Sequence, residues 1–226
     1  MTDNLQNIVS TNQTVSEQQK PRVSNGVKIG LFFFRHRHLL YVPFVLVIFL
    51  LDKPYNAFMK PYENPMVIWP VGSGFLLLGV ILRFFGIRYC GKRTVYKREE
   101  GKWLTLTGPY SHMRNPLYHS NLLIGCGLIA IGKLFWLIPI FVVVGYIYYH
   151  FVVLYEESRL SMQFGEKYAD FCKNVPRWIP RLTSYRAGEG ELKLNPWSEV
   201  FGAEKWRFLA VAVIVGLISC KDYFMV

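Results

Sequence analysis

Apolar residues fall in five blocks along the chain, 39–51, 66–86, 116–132, 134–155 and 208–219, separated by polar or basic stretches. A helix needs about 20 apolar residues to cross roughly 30 Å of hydrocarbon. Blocks 66–86 and 134–155 meet that length, and 116–132 nearly does. The first and last are short. Each is either a partial insertion or a span lengthened by interfacial side chains, as Trp206 and Arg207 would do for the last. The expected fold class is all-α, a polytopic helical membrane protein with about four to five transmembrane helices and a cytoplasmic amphipathic helix.

The third and fourth blocks are joined only by Gly132-Lys133, so they are expected to form a tight antiparallel helical hairpin. That geometry returns Glu156 to the face carrying Arg114. Beyond Glu157 the period changes: Leu160, Phe164, Tyr168, Phe171 and Cys172 share one helical stripe, while Arg159, Gln163, Glu166, Lys167, Asp170 and Lys173 fall elsewhere. This is the amphipathic helix, and Val175-Pro176 ends it. The run Pro176-Arg177-Trp178-Ile179-Pro180-Arg181 is a basic-aromatic segment of headgroup depth. Residues 1–30, rich in Asn, Gln, Ser and Thr, read as a disordered tail and not a cleavable signal. One helical membrane domain, 31–226, follows.

Composition sharpens this picture. The chain has 226 residues, is 52% hydrophobic and 16% aromatic, and has a mean hydropathy of +0.21, yet it carries a formal charge of +11. Such a basic balance raises the question of nucleic acid, but the distribution of the charges answers it. Lys20, Arg22, Lys28, Arg35 and Arg37 precede the first block; Arg88, Lys92, Arg93, Lys97, Arg98 and Lys102 follow the second; Arg159 through Arg207 follow the fourth. The intervening loops hold only Lys53, Lys60 and Lys133. Basic loops mark the cytoplasmic side and meet anionic lipid, so the N-terminus and the 101–115 region are expected there, with no nucleic-acid partner. Cys90, Cys126, Cys172 and Cys220 lack any C-x-x-C spacing, which argues against a metal site or a disulfide framework.

Candidate chemistry concentrates at two block ends. Thr107-Gly108-Pro109-Tyr110-Ser111-His112-Met113-Arg114-Asn115-Pro116-Leu117-Tyr118 runs straight into the third block. Arg114 is either a topology-setting charge that snorkels to lipid phosphate or a bidentate partner for an anion. Pro116 suits a first helical turn, whose free amides also favour an anion. Glu156 and Glu157 at the end of a span must be solvated or paired; an intrahelical pair with Arg159 would contribute only about 0.2–0.5 kcal/mol. Tyr148, Tyr149 and Tyr155 suit an aromatic belt, whereas Tyr110 and Tyr118 flank the arginine turn and read as ligand-lining. His112 and His119 have no evident partner. Gly72-x-Gly74 and Gly125-x-Gly127 suit close helix contact, and no strand precedes them to suggest a dinucleotide fold. Arg83 is expected to snorkel.

Taken together, Leu106-Thr107-Gly108-Pro109-Tyr110, Arg114-Asn115-Pro116-Leu117-Tyr118, Glu156-Glu157, Leu160, Phe164-Gly165, Tyr168 and Val175-Pro176 resemble a known superfamily. It is that of the integral-membrane methyltransferases, which includes isoprenylcysteine carboxyl methyltransferases and phospholipid methyltransferases. The resemblance covers 101–180. It implies S-adenosyl-L-methionine held by a helical site at the cytoplasmic surface, with a lipophilic acceptor entering from the bilayer.

By that resemblance Tyr110, Arg114, Asn115, Pro116, Leu117, Tyr118, Glu156 and Glu157 would bind cofactor, Arg114 taking its carboxylate and the glutamates its amino or hydroxyl groups. Gly72 and Gly74 would join them, and Arg159 and Tyr149 would face the acceptor; no catalytic base is identified. Asn115 stands where the carboxyl branch has histidine, and Val152 where that branch has a substrate arginine. Asn115, with Leu154-Tyr155-Glu156-Glu157, looks like the phospholipid branch, and Val152 departs from the carboxyl branch. Membrane sterol and enone reductases, which use NADPH, are similar around the same turn, and a non-catalytic lipid-binding protein is the remaining alternative.

Overall fold

The computed structural model describes residues 24–37, 39–50, 64–90, 104–186 and 194–224, and every structural statement below concerns those residues. They form six helices and no strand: α1 (Asn25–Arg35), α2 (Tyr41–Leu50), α3 (Pro65–Cys90), α4 (Pro116–Ile131), α5 (Leu137–Asn174) and α6 (Trp197–Phe224). Two of them, α3 and α5, are long and apolar enough to cross a membrane. The shorter apolar helices α2 and α4 are not; 16 residues of α4 span about 24 Å at 1.5 Å per residue, less than the hydrocarbon thickness. Length and composition therefore establish fewer spans than the block pattern suggested. Large apolar side chains such as Leu77, Leu78, Val143, Ile147, Val213 and Leu217 point outward, as lipid contact would favour.

Backbone contact through small residues organises the helices. Gly72, Gly79 and Gly86, seven apart on α3, face Gly127, Ser120 and Leu117 of the antiparallel α4: a Cβ at Gly79 would sit 2.9 Å from the Ser120 carbonyl oxygen, and one at Gly127 would sit 2.8 Å from that of Gly72. Helix backbones approach this closely only when the side chain is absent. The second hairpin uses the same device. Phe141 of α5 covers Gly125, and Leu122 of α4 covers Gly145, so α4 and α5 run antiparallel as expected. Their connection is longer than two residues, however, because Lys133 turns with φ 62° and α5 begins only at Leu137.

Helix α1 starts inside the segment expected to be a tail. Ser24 caps it, its hydroxyl accepting from the Gly26 amide at 3.3 Å, and Gly30 lies directly against the Phe151 carbonyl of α5. Tyr148 secures the far end, its hydroxyl donating to the carbonyl oxygen of His36 at 2.7 Å. The rest of the expected tail, 1–23, lies outside the described residues.

The amphipathic stripe of α5 behaves as its period implied, with Tyr168 and Phe171 buried against Leu106 and Val175. Gly165 interrupts it. Its φ of 51° breaks the helix within α5, so the stripe is not carried on a continuous rod. The last helix, α6, docks against the end of α3: Asn195 donates from its side chain to the Ile87 carbonyl at 2.8 Å, Arg88 lies 4.1 Å over the Trp197 ring, and Phe84 meets Phe201 and Phe208, each at 4.9 Å.

The glycine contacts make a testable contrast. Gly127→Val forces a side chain into the Gly72 backbone and is expected to cost about 1–3 kcal/mol, whereas Gly74→Ala, which meets nothing within 4 Å, should be neutral or stabilising by up to about 1 kcal/mol. Thermal denaturation in detergent checks both. Equal melting of the two variants would show that α3 and α4 do not meet through Gly127.

Candidate functional site

The site is built on the turn before α4. Gly108 adopts φ +61°, and a Cβ there would strike the Tyr89 ring at 2.5 Å, so both conformation and space call for glycine. Pro109 starts a 3-10 turn over Gly108–Ser111, which the Ser111 hydroxyl closes by donating to the Gly108 carbonyl at 2.7 Å. This turn buries Tyr110. Its hydroxyl makes no hydrogen bond to nitrogen or oxygen among the described residues. Burial pushes the phenol well above its ordinary pKa, with the Cys90 thiol adding to the effect, so it stays protonated as a donor.

A strap from beyond α5 folds back beside this turn. The Arg114 amide donates to Pro176 O, the Arg181 amide to His112 O and the Tyr185 amide to Ser111 O, each at 3.0 Å. Asn115 donates from its side chain to Arg177 O at 3.2 Å, and the His112 ring donates to Arg181 O at 2.9 Å. Tyr185 ties the strap to α5 by donating to Asp170 at 2.6 Å, a bond that raises the pKa of its phenol. The antiparallel hairpin places Glu157 beside the same turn.

The Glu157 carboxylate sits between two arginines. Arg114 Nη1 approaches Oε1 at 3.2 Å, and Arg177 of the strap binds in a fork, with Nε at 3.1 Å from Oε1 and Nη2 at 2.5 Å from Oε2. Arg114 also donates to the Cys172 sulfur at 2.8 Å, while its Nε is buried without a partner. Two cations thus surround one anion, and one buried donor is unused. Charge-assisted forks of this kind are strong and fix orientation as well as position.

The expected site residues divide into groups. Arg114 and Glu157 meet directly, Asn115 binds the strap, and Pro116 opens α4. Leu117 instead packs against Gly86. Tyr118 stacks on Tyr149 with ring centroids 4.5 Å apart, and its hydroxyl and the Glu156 carboxyl are partners. Gly72 lies near Ile131 at the other end of α4, and a Cβ at Gly74 would meet no neighbour within 4 Å, so neither is seen to line this cluster. Arg159 is exposed and lies over the Tyr155 ring at 5.9 Å. His119, which had no evident partner, contacts the Asn115 carbonyl and the Tyr146 hydroxyl.

Several participants were not singled out from the sequence. Arg177 and Cys172 read as a headgroup anchor and a stripe residue. Arg83 does not snorkel, because Glu204 of α6 holds it inside with a side chain only 1% exposed. One signal for Glu204 was available: it falls in helical phase with Val211, Val215 and Ile218, on the face that α6 turns inward.

Arg114, Glu157 and Arg177 thus form an arginine–carboxylate cluster where the α4–α5 hairpin and the strap meet in a helical, membrane-type fold, and comparison with known proteins shows what the chain is similar to. Residues 67–167 match the family model described as phospholipid methyltransferase. This is the superfamily that the paired motifs resembled. The chain is 27% identical over 195 residues to the cobalt-zinc-cadmium resistance protein CzcN of Cupriavidus metallidurans, covering 84% of this chain and 86% of that protein. It is also 27% identical over 144 residues to the nickel-cobalt-cadmium resistance protein NccN of Alcaligenes xylosoxydans xylosoxydans, covering 63% of this chain and 66% of the relative. No solved structure matches.

The ion cluster itself can be tested. Glu157→Gln removes the common partner of Arg114 and Arg177, so the strap should loosen and trypsin should cut after Arg177 and Arg181 at least about fivefold faster, as loss of a charged pair worth roughly 1–3 kcal/mol predicts. Unchanged cleavage would mean that the strap is held by its backbone bonds alone.

Proposed function

We propose that this protein is an S-adenosyl-L-methionine-dependent methyltransferase acting on a lipophilic acceptor embedded in the membrane, a phospholipid amine or an isoprenylcysteine-type carboxylate. The observation that carries the reading is the meeting of Arg114 and Glu157 from the two ends of the α4–α5 hairpin, inside the segment that matches the family model. The residues present fit the cofactor. Arg114 Nε, buried and unpartnered, suits a carboxylate; Glu156 and Glu157 suit an ammonium and ribose hydroxyls; the buried Tyr110 hydroxyl is a further donor.

When bound, S-adenosyl-L-methionine supplies a methyl group on a sulfonium. The part of the chain is to align and to exclude water: the strap covers the turn, Pro176 and Arg177 lying on Arg114 and Asn115. Alignment of this kind supplies most of what an in-line displacement needs. Val152 lies fully buried in the apolar core, so that wall offers no cation to an acceptor carboxylate. Gly72 and Gly74 have no place in this reading. The resistance named for the relatives enters this reading only as a physiological setting in which a membrane methyltransferase would act.

Sidedness is part of the proposal: the turn and the strap face the cytoplasm, and Lys133 faces the opposite side. In a cysteine-free background, Lys133→Cys should react with an impermeant thiol reagent on intact cells and Thr183→Cys only after permeabilisation. The reverse pattern would invert the topology.

The cofactor assignment is tested by calorimetric titration of S-adenosylhomocysteine in detergent. Arg114→Ala and Glu156→Gln should each weaken binding at least about tenfold, as loss of one charged contact predicts, and the double variant should lose less than the sum. Heat from NADPH in place of S-adenosylhomocysteine would favour the reductase reading, and heat from neither a lipid-binding role.

A further inference from the structure

Arg83 and Glu204 stand on the inward faces of α3 and α6 with side chains only 5% and 1% exposed. Burying two charges is expensive, and well-packed apolar residues of the same volume usually serve stability as well or better. Ionisable groups at such positions usually belong to a site. The geometry is ordered enough for one. Arg83 Nε donates to Glu204 Oε2 at 2.5 Å and Nη2 to Oε1 at 3.1 Å, while Nη1 donates to Asn121 Oδ1 at 2.8 Å. Asn121 in turn donates to the Tyr149 hydroxyl at 3.3 Å, which shares a 2.8 Å bond with the Tyr41 hydroxyl.

Two features of this chain of contacts are unsatisfied. Arg207 also binds Glu204 Oε2, at 2.7 Å, so two guanidinium groups share one carboxylate and a positive charge is left over. Arg83 has five N–H groups and commits three of them. Tyr118 packs against the Tyr149 ring at 4.5 Å and is partnered with Glu156, so it lies between the Arg83 network and the proposed cofactor residues in this run of contacts.

We propose that the Arg83–Glu204 pair is an oxyanion-binding floor for the acceptor: the spare N–H groups of Arg83, with Arg207, receive the phosphate or carboxylate of an amphiphile. Glu204 is a positioning residue that fixes the fork and offsets part of its charge. It comes from α6, outside the segment that matches the family model, so this chain draws acceptor specificity from its own last helix. The inference rests on the methyltransferase reading only in naming the amphiphile as methyl acceptor. It also supplies the cation that Val152 does not.

The test is equilibrium binding in an uncharged detergent, with dihexanoyl phosphatidate, decanoate, inorganic phosphate and S-adenosylhomocysteine as separate probes. Arg83→Met/Glu204→Met removes both charges together and should weaken the tighter of the two amphiphiles at least about tenfold while leaving S-adenosylhomocysteine within about twofold. Glu204→Gln moves the other way. It raises the local charge and should tighten that amphiphile by about three- to tenfold, a gain that a purely structural clamp cannot produce.

Whether phosphatidate or decanoate binds better identifies the head group. Unchanged amphiphile binding in the double variant, weakened binding in Glu204→Gln, or no binding to the unmodified protein would overturn the proposal. Inorganic phosphate binding as tightly as the amphiphiles would make this a free-anion site and overturn the acceptor assignment. If S-adenosylhomocysteine binds no form of the protein while the amphiphile changes persist, the methyltransferase reading fails and the anion floor stands.

Discussion

Everything in the site depends on how closely α3 and α4 approach. Glycines seven apart on α3 let its backbone lie against Ser120 and Gly127 of α4, and in a membrane such contact replaces the hydrophobic drive that lipid cannot supply. The consequence is positional. With α3 held against α4, Cys90 and Tyr89 reach the turn before α4, and Arg83 reaches Asn121. A second close contact, at Gly125 and Gly145, fixes α5 antiparallel to α4, so Glu156 and Glu157 return to the height of Arg114. Acid and base that are far apart in sequence meet because three helices have no room to slide.

The strap adds closure to this frame. Pro176 ends the amphipathic stretch, and the backbone that follows pairs with 111–115 by direct hydrogen bonds. Arg177 therefore presents its guanidinium to the same Glu157 carboxylate that Arg114 approaches. A carboxylate between two arginines is well compensated, yet the arrangement leaves Arg114 Nε unused. An unused buried donor is costly unless something is meant to accept from it.

Much of this was legible in the sequence because two signals are strong there. Block periodicity located α2 to α5, and the short connection between blocks predicted the hairpin; it was expected to return Glu156 to the face of Arg114, whereas Glu157 makes that contact and Glu156 pairs with Tyr118. Less legible were features whose signal is long-range or conformational. Gly165 enters the sequence pattern only within the Phe164-Gly165 motif, with no sign that its positive φ breaks the helix. Helix α1 has the glycine spacing 26 and 30 that suits contact with α5, yet its polar surroundings looked like a tail. Gly72 read as half of a Gly-x-Gly pair, whereas its true partners are Gly79 and Gly86 at heptad spacing. Arg83 read as a snorkelling charge because its partner lies 121 positions away, and no local pattern announces a contact at that separation.

The two ion clusters share one construction. Glu157 lies between Arg114 and Arg177, and Glu204 lies between Arg83 and Arg207. In each, one carboxylate offsets one of two guanidiniums, so the excess is a single positive charge and not two. That matters in a region poor in water, where holding two unpaired cations ready would cost far more than holding one. The carboxylate also fixes the donors in place before anything binds, so little reorganisation remains when an anion arrives. A carboxylate shared by two arginines is thus a way to keep a guanidinium buried, oriented and still short of one negative partner. This chain uses the device twice, and the two anion sites proposed above, one for the cofactor carboxylate and one for the acceptor head group, rest on it.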